Sequence, residues 1–314
     1  MDAVQDFYEK YGLLSSMATS PEDVEQWLVM AIGQTNQCCG TIDPVNVAAT
    51  RELGIFYRKT GRLQEARAYL DRAAELSEQR YGADSLECLS AQMHAAAATR
   101  EAGDVLTAVD QLERARSACR SACGEESILG AGILRELALA YRDAGEVGSA
   151  IACARKSADV ASRVDERPDE VATTLVLLAN LLTASGDAGS ACEALDQALA
   201  LESEGRKLSA DVRADVLEAR GTVLFQAQEY EGARAAFAEE LMVLQGADGG
   251  DGRSPRPGLV CLYLAVCRDR LGEHDQALLS ARQGYGLLES TLGATHPMTM
   301  QAGQTLLQLQ RGSK

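Results

Sequence analysis

A chain of 314 residues with 30 Lys and Arg against 46 Asp and Glu carries a formal charge of −16, and so lacks the general basic character that attracts nucleic-acid phosphates or an anionic membrane surface. Aromatic residues make up 4 % and prolines number 6, in a sequence dominated by Ala, Leu, Glu and Arg, which argues for packed helices and against a sheet. No apolar run approaches the roughly 20 residues that span a bilayer, and Met1 to Ser20 holds Asp2, Gln5, Asp6, Glu9 and Lys10 where a signal peptide has its apolar centre; a soluble, cytoplasmic protein is expected.

Along the chain, the first predicted element is a degenerate helical hairpin over 1–44. It has Gly12 as a small contact residue, Thr19-Ser20-Pro21 as its turn, and Leu28 and Ala31 on the second helix; serine followed by proline and acidic residues is a sound helix start. Next comes Arg-Lys-Thr-Gly at 58–61, repeated as Arg-Glu-Ala-Gly at 100–103 and Arg-Asp-Ala-Gly at 142–145, a spacing of 42 both times. Gly186, Gln228 and Gly272 continue the register at intervals of 41, 42 and 44. Five residues after each turn stands alanine: Ala66, Ala108, Ala150, Ala191, Ala233 and Ala277. Seven before it stands Gly54, Ala96, Ala138, Ala179, Gly221 or Ala265. Two columns of small residues flanking a turn let two helices approach closely, which is a packed helical hairpin repeated.

The apolar residues between these columns keep the helical period, as in Leu53, Tyr57, Leu70 and Ala73, or Leu137, Tyr141, Ile151 and Ala154. One such hairpin cannot bury both its faces, so neighbours must stack. The predicted organisation is a single all-α solenoid of about seven hairpins, with repeats near 45–86, 87–128, 129–169, 170–209, 210–245 and 259–296. A capping helix at 297–310 follows, its Gln301, Gln304, Gln308 and Gln310 suited to a polar end. The Gly- and Pro-rich stretch Gly246 to Gly258 reads as a flexible surface loop; its Asp248 and Asp251 lack the alternating carboxylates of a calcium loop.

Little in the chain resembles catalytic machinery. The three histidines, His94, His274 and His296, fall in different elements, and no nucleophile elbow, Walker-type loop or paired metal-ligand spacing accompanies them. The nine cysteines are odd in number and scattered, mostly where a helix wants a small apolar residue, and read as reduced core residues with no disulfide framework. No cofactor is expected, and the protein is expected not to be an enzyme.

The small column, the turn glycine and the alanine column together resemble the tetratricopeptide repeat. The period of 42 is similar to the kinesin light chain variety, with Leu-Gly-Ala-Thr-His-Pro at 292–297 matching its link between units and Tyr-Gly-Ala-Asp-Ser at 81–85 a looser copy. The N-terminal heptad coiled coil of true kinesin light chains is absent, and the groove asparagines of that family are replaced by Glu52, His94, Glu136, Leu177, Ala219 and Tyr263.

The resemblance implies a right-handed superhelix whose first helices line a concave groove that holds a protein or peptide. On that placement the groove presents Arg51, Arg58, Arg100, Arg135 and Arg142 with His94, a basic ladder suited to an acidic or phosphorylated partner. Asn180 lies further along, where Val176, Leu177, Thr183, Phe225, Leu262, Tyr263 and Val266 are more apolar. The expectation is a non-enzymatic interaction scaffold or adaptor; the alternative is a permanent structural subunit bound through its edges.

Overall fold

Short polar side chains start the helices and glycines turn the hairpins. In this computed structural model, the side chains of Ser20, Asp43, Ser85, Asp104, Ser127, Asp187 and Ser209 each accept a hydrogen bond from a backbone N–H in the helical turn that follows. At five of the hairpin turns the residue with left-handed backbone is glycine: Gly61, Gly103, Gly145, Gly186 and Gly272, with φ from 78° to 95°. The slot held by Gln228 has the same conformation, φ 64°, and is the single non-glycine with positive φ among the described residues. The turn geometry is thus set by the hairpin, and glutamine tolerates it at a cost of about 1 kcal/mol.

The structure describes residues 3–17, 20–124, 126–164, 167–247 and 254–312. Thr19 of the first turn and residues 248–253 of the predicted loop, including Asp248 and Asp251, lie outside the described residues. Among those described are fifteen α-helices and no strand. They divide into two compact units, Met1–Val164 and Asp165–Lys314.

Unit 1 contains α1 (Ala3–Met17), α2 (Pro21–Cys38), α3 (Pro44–Lys59), α4 (Leu63–Tyr81), α5 (Leu86–Glu101), α6 (Val105–Cys123), α7 (Ile128–Asp143) and α8 (Val147–Val164). Unit 2 contains α9 (Pro168–Ala184), α10 (Ala188–Ser203), α11 (Ala210–Gln226), α12 (Tyr230–Ala247), α13 (Arg256–Arg270), α14 (His274–Leu292) and α15 (Pro297–Gly312). Residues 256–258, assigned to the loop by composition, are the first turn of α13, because Pro257 sits where a missing N–H costs nothing.

From α3 to α14 each odd-numbered helix packs on the even-numbered helix that completes its hairpin, as α3 on α4 or α13 on α14, and within each unit the even helix packs on the next odd one, as α4 on α5. In unit 1, α5 also touches α3 and α7, so these three first helices form one wall. All six column alanines are fully buried at 0 % exposure, and at Gly54 a Cβ would stand 2.6 Å from Leu70 Cγ. The columns therefore mark the closest helix contacts, where a larger side chain has no room.

Unit 2 holds a charge cluster around one buried carboxylate, Glu240. Arg256, at the start of α13, donates to Glu240 (3.0 Å), Asp215 (2.7 Å) and Glu218 (2.8 Å), which come from α12 and α11. Burial, reinforced by Glu218 and Asp215 against the pull of Arg256, pushes the Glu240 carboxyl up from 4.5 to about 7. With a raised pKa the folded state holds the proton that the unfolded state has released. Stability from this group is fully present below pH 4.5 and is lost as pH rises through about 7. Glu240→Gln should therefore flatten the fall in unfolding midpoint across that window, as measured by urea titrations at several pH values.

Candidate functional site

The wall of α3, α5 and α7 carries a cluster of ionisable residues in unit 1. The repeat spacing puts Arg51 and Arg135 in one register row, Glu52, His94 and Glu136 in the next, and Arg58, Arg100 and Arg142 in a third. Consecutive first helices in contact bring those rows side by side. All six basic candidates of the ladder thus lie on one wall, whereas Asn180 is exposed on α9 in unit 2 and takes no part in this cluster.

The arginines are not equivalent. Arg100 is only 9 % exposed and reaches three carboxylates, Asp143 at 2.8 Å, Glu101 at 3.0 Å and Glu136 at 3.8 Å. Arg58 lies 3.4 Å from Glu101 and 3.5 Å from Glu136, so it bridges α3 to α7 across α5. Glu136 itself is 4 % exposed. Burial raises the Glu101 carboxyl against the pull of Arg58 and Arg100. Arg142, 47 % exposed, pairs with Asp143 at 2.8 Å. The basic ladder is therefore largely an internal arginine–carboxylate lattice, and Arg100 in particular has its charge committed to its own wall.

His94 shares its register row with Glu52 and Glu136 and feels several cationic side chains. Burial lowers its pKa to about 3, and Arg58, Arg51, Arg135 and Lys59 push it the same way, so the imidazole is neutral at physiological pH. Its Nδ1 is buried and has no hydrogen-bond partner. Arg51 donates to the Tyr8 hydroxyl from α1 and stands 3.3 Å from Glu52. A neutral ring among four cationic side chains, with one nitrogen unsatisfied, is a place where an anion gains several favourable contacts at once.

Tyr8 and Lys59 were not legible as parts of this cluster. Tyr8 belongs to the degenerate hairpin, whose repeat signal is weakest, and Lys59 shares its register row with Glu101 and Asp143, which conceals it as one basic residue in an acidic column. The other two histidines serve local structure: His274 Nδ1 pairs with Asp269 at 2.8 Å, and His296 Nδ1 accepts from the Met298 N–H at the start of α15.

The apolar positions of unit 2 partly fill its own core. Phe225 meets Tyr230 and Tyr263 edge-on, and Tyr263 stacks on Phe237 with ring centroids 5.0 Å apart. The cysteines require a correction. Cys88, Cys119, Cys153, Cys261 and Cys267 are buried as expected, but Cys38, Cys39 and Cys123 are exposed, each in the last turn or cap of a second helix. Among the described residues no cluster of His, Cys, Asp and Glu has the makings of a metal site, and no helix is long and apolar enough to cross a membrane.

A family model for the tetratricopeptide repeat matches residues 46–121, the hairpins α3/α4 and α5/α6. No curated protein matches the sequence. Among solved structures, BtubC (BKLC) from P. vanneervenii is 19 % identical, with 74 % of this chain and 93 % of that one covered and a TM-score of 0.62. A signal-transduction ATPase with a tetratricopeptide repeat sensor, from Pyrococcus horikoshii, is 12 % identical with a TM-score of 0.72; it matches 99 % of this chain, which spans 47 % of its length. The APC/C hetero-tetramer Cut9–Hcn1 is similar over 98 % of this chain and 52 % of that one, at 13 % identity and a TM-score of 0.61. Folds of this kind generally serve as protein-interaction scaffolds. The second and third hairpins thus match the tetratricopeptide repeat, and the same helical hairpin continues through both units, whose fold is similar to that of tetratricopeptide-repeat structures, BtubC (BKLC) among them.

Proposed function

We propose that the protein is a non-enzymatic scaffold whose unit 1 wall holds an acidic or phosphorylated segment of a protein partner at the His94 cluster. The observation that carries this reading is the buried, unsatisfied Nδ1 of a half-buried, neutral His94 among Arg51, Arg58, Arg135 and Lys59. An arriving carboxylate or phosphate accepts from the planar forks of arginine and relieves the mutual repulsion of the cations. Arg100 is secondary in this reading, being almost wholly buried against three carboxylates; Arg58 and Arg51 keep Glu101, Glu136 and Glu52, and an arriving anion shares them with those carboxylates.

The test is fluorescence anisotropy with labelled peptides that are acidic, phosphorylated or neutral, titrated with native protein and with the Arg135→Glu and His94→Leu forms. Acidic and phosphorylated peptides should bind, and more weakly as salt rises. Arg135→Glu should weaken them at least tenfold, the scale set by losing one charge-assisted hydrogen bond of about 1.5–3 kcal/mol. Equal binding of neutral and acidic peptides, or indifference to both substitutions, refutes the reading. Exposed Met298, Met300 and Leu307 on α15 favour a second reading, a permanent subunit held through its edge. In that case the wall substitutions leave complex assembly intact.

A further inference from the structure

The sulfur atoms of Cys119 and Cys123 stand 3.3 Å apart on the final turn of α6. Cys119 is buried and Cys123 exposed. Ser127 Oγ lies 3.4 Å from the Cys123 sulfur and 3.8 Å from that of Cys119, while it also accepts from Gly130 N–H (3.0 Å) as the cap of α7. The two thiols therefore sit at the joint between the third and fourth hairpins of unit 1.

Packing explains one of these cysteines and not the other. In the repeat register, Cys119 falls in a column with Thr35, Ser77 and Ala161, a slot for a small side chain. Cys123 falls in a column with Cys39 and Tyr81, where nothing demands a small residue or a buried one. Only in the third hairpin do both columns carry a thiol. The other exposed pair, Cys38 and Cys39, are sequence neighbours; their Cα atoms, about 3.8 Å apart, fall below the range of about 4.4–6.8 Å usual for a disulfide. Residues four apart on a helix have Cα atoms about 6 Å apart, within that range.

We infer that Cys119 and Cys123 are a redox modification site, a dithiol that hydroperoxides oxidise to a reversible intrahelical disulfide. Cys123, which solvent reaches, is attacked first. Its thiolate displaces water from hydrogen peroxide, with the proton it gave up returned to the leaving hydroxide, and becomes a sulfenic acid. The sulfur of Cys119 then attacks the Cys123 sulfur, the S–O bond breaks, and a second water leaves with the proton of Cys119. Two thiols and one peroxide give one disulfide and two waters. Bringing the sulfurs from 3.3 Å to a bond of about 2.05 Å requires the last turn of α6 to tighten, which the following Gly124, already left-handed at φ 79°, leaves room for. Ser127 moves with the pair, so the start of α7 feels the change.

The experiment treats the reduced full chain with hydrogen peroxide, denatures it in an alkylating agent and maps the tryptic peptides. Cleavage after Arg116, Arg120 and Arg135 separates the two residues into peptides 117–120 and 121–135, so the proposed bond joins two fragments that part on reduction. The linked species should accumulate with peroxide and vanish with dithiothreitol. In Cys119→Ser, where serine has the precedent of Ser77, Cys123 should pass instead to sulfinic and sulfonic acids. The inference is overturned if Cys123 of the native chain is over-oxidised or unreacted while Cys119 remains a thiol, or if Cys123 is recovered joined to Cys38, Cys39 or a second copy of the chain.

Discussion

Phe237→Ala will cost the protein about 3–5 kcal/mol, read as a lower urea midpoint for the transition that reports unit 2. Phe237 is wholly buried on α12 and packs with Leu224, Val260 and Leu264 from α11 and α13. Its ring stacks on Tyr263 and fills the hollow left by Gly221, where a Cβ would come within 2.6–2.8 Å of three ring atoms. Glycine and phenylalanine are thus one packing decision made across two helices. Gly221→Ala alone should destabilise by about 1–3 kcal/mol, since the clash outweighs the roughly 1 kcal/mol that alanine gains in a helix. In the Phe237→Ala background the clash is gone and the same change should stabilise. A double-mutant cycle measures that reversal of sign, and simple additivity would refute the account.

Glu136→Gln is expected to move stability and binding in opposite directions. Glu136 is buried between Arg58 and Arg100, and removing its charge leaves both guanidiniums short of an anion in a mostly buried place. The cost is about 2–3 kcal/mol, below that of a bare buried ion because Arg100 keeps Glu101 and Asp143. The wall simultaneously gains a positive charge, and Arg58, beside His94, is left with Glu101 as its remaining carboxylate. Affinity for an acidic peptide should rise roughly fivefold, a change on the order of 1 kcal/mol. A variant that is less stable and binds no better separates the lattice's structural role from the proposed binding role.

The hairpins were legible in the sequence because packing leaves no choice at their closest contacts. The alanine column is fully buried, and the glycine slots take the left-handed backbone at every turn where they occur. Even Gln228 was identifiable, since spacing alone marked its position before its φ was known. Helix ends were less so: residues 256–258 looked like loop because Pro and Gly there spoke only for a break, whereas Pro at the first helical turn also begins one. The wall was half legible. Register identified which residues share a face, but not that carboxylates in neighbouring rows turn toward Arg58 and Arg100, because pairing depends on rotamers and inter-helix distance. The concentration of unpaired character on His94, and the exposure of Cys123, came only from the three-dimensional arrangement.

Arg58 reaches Glu136 over the top of an entire intervening hairpin. Repeat arrays are ordinarily treated as chains in which each unit senses only its nearest neighbours, so that opening can begin anywhere and halt at any boundary. A contact between the second and fourth hairpins breaks that locality: α5 cannot detach without also separating its two neighbours' charges. Amide hydrogens of α3, α5 and α7 should then exchange together, as one cooperative block, while the hairpins of unit 2 fray in sequence from α15.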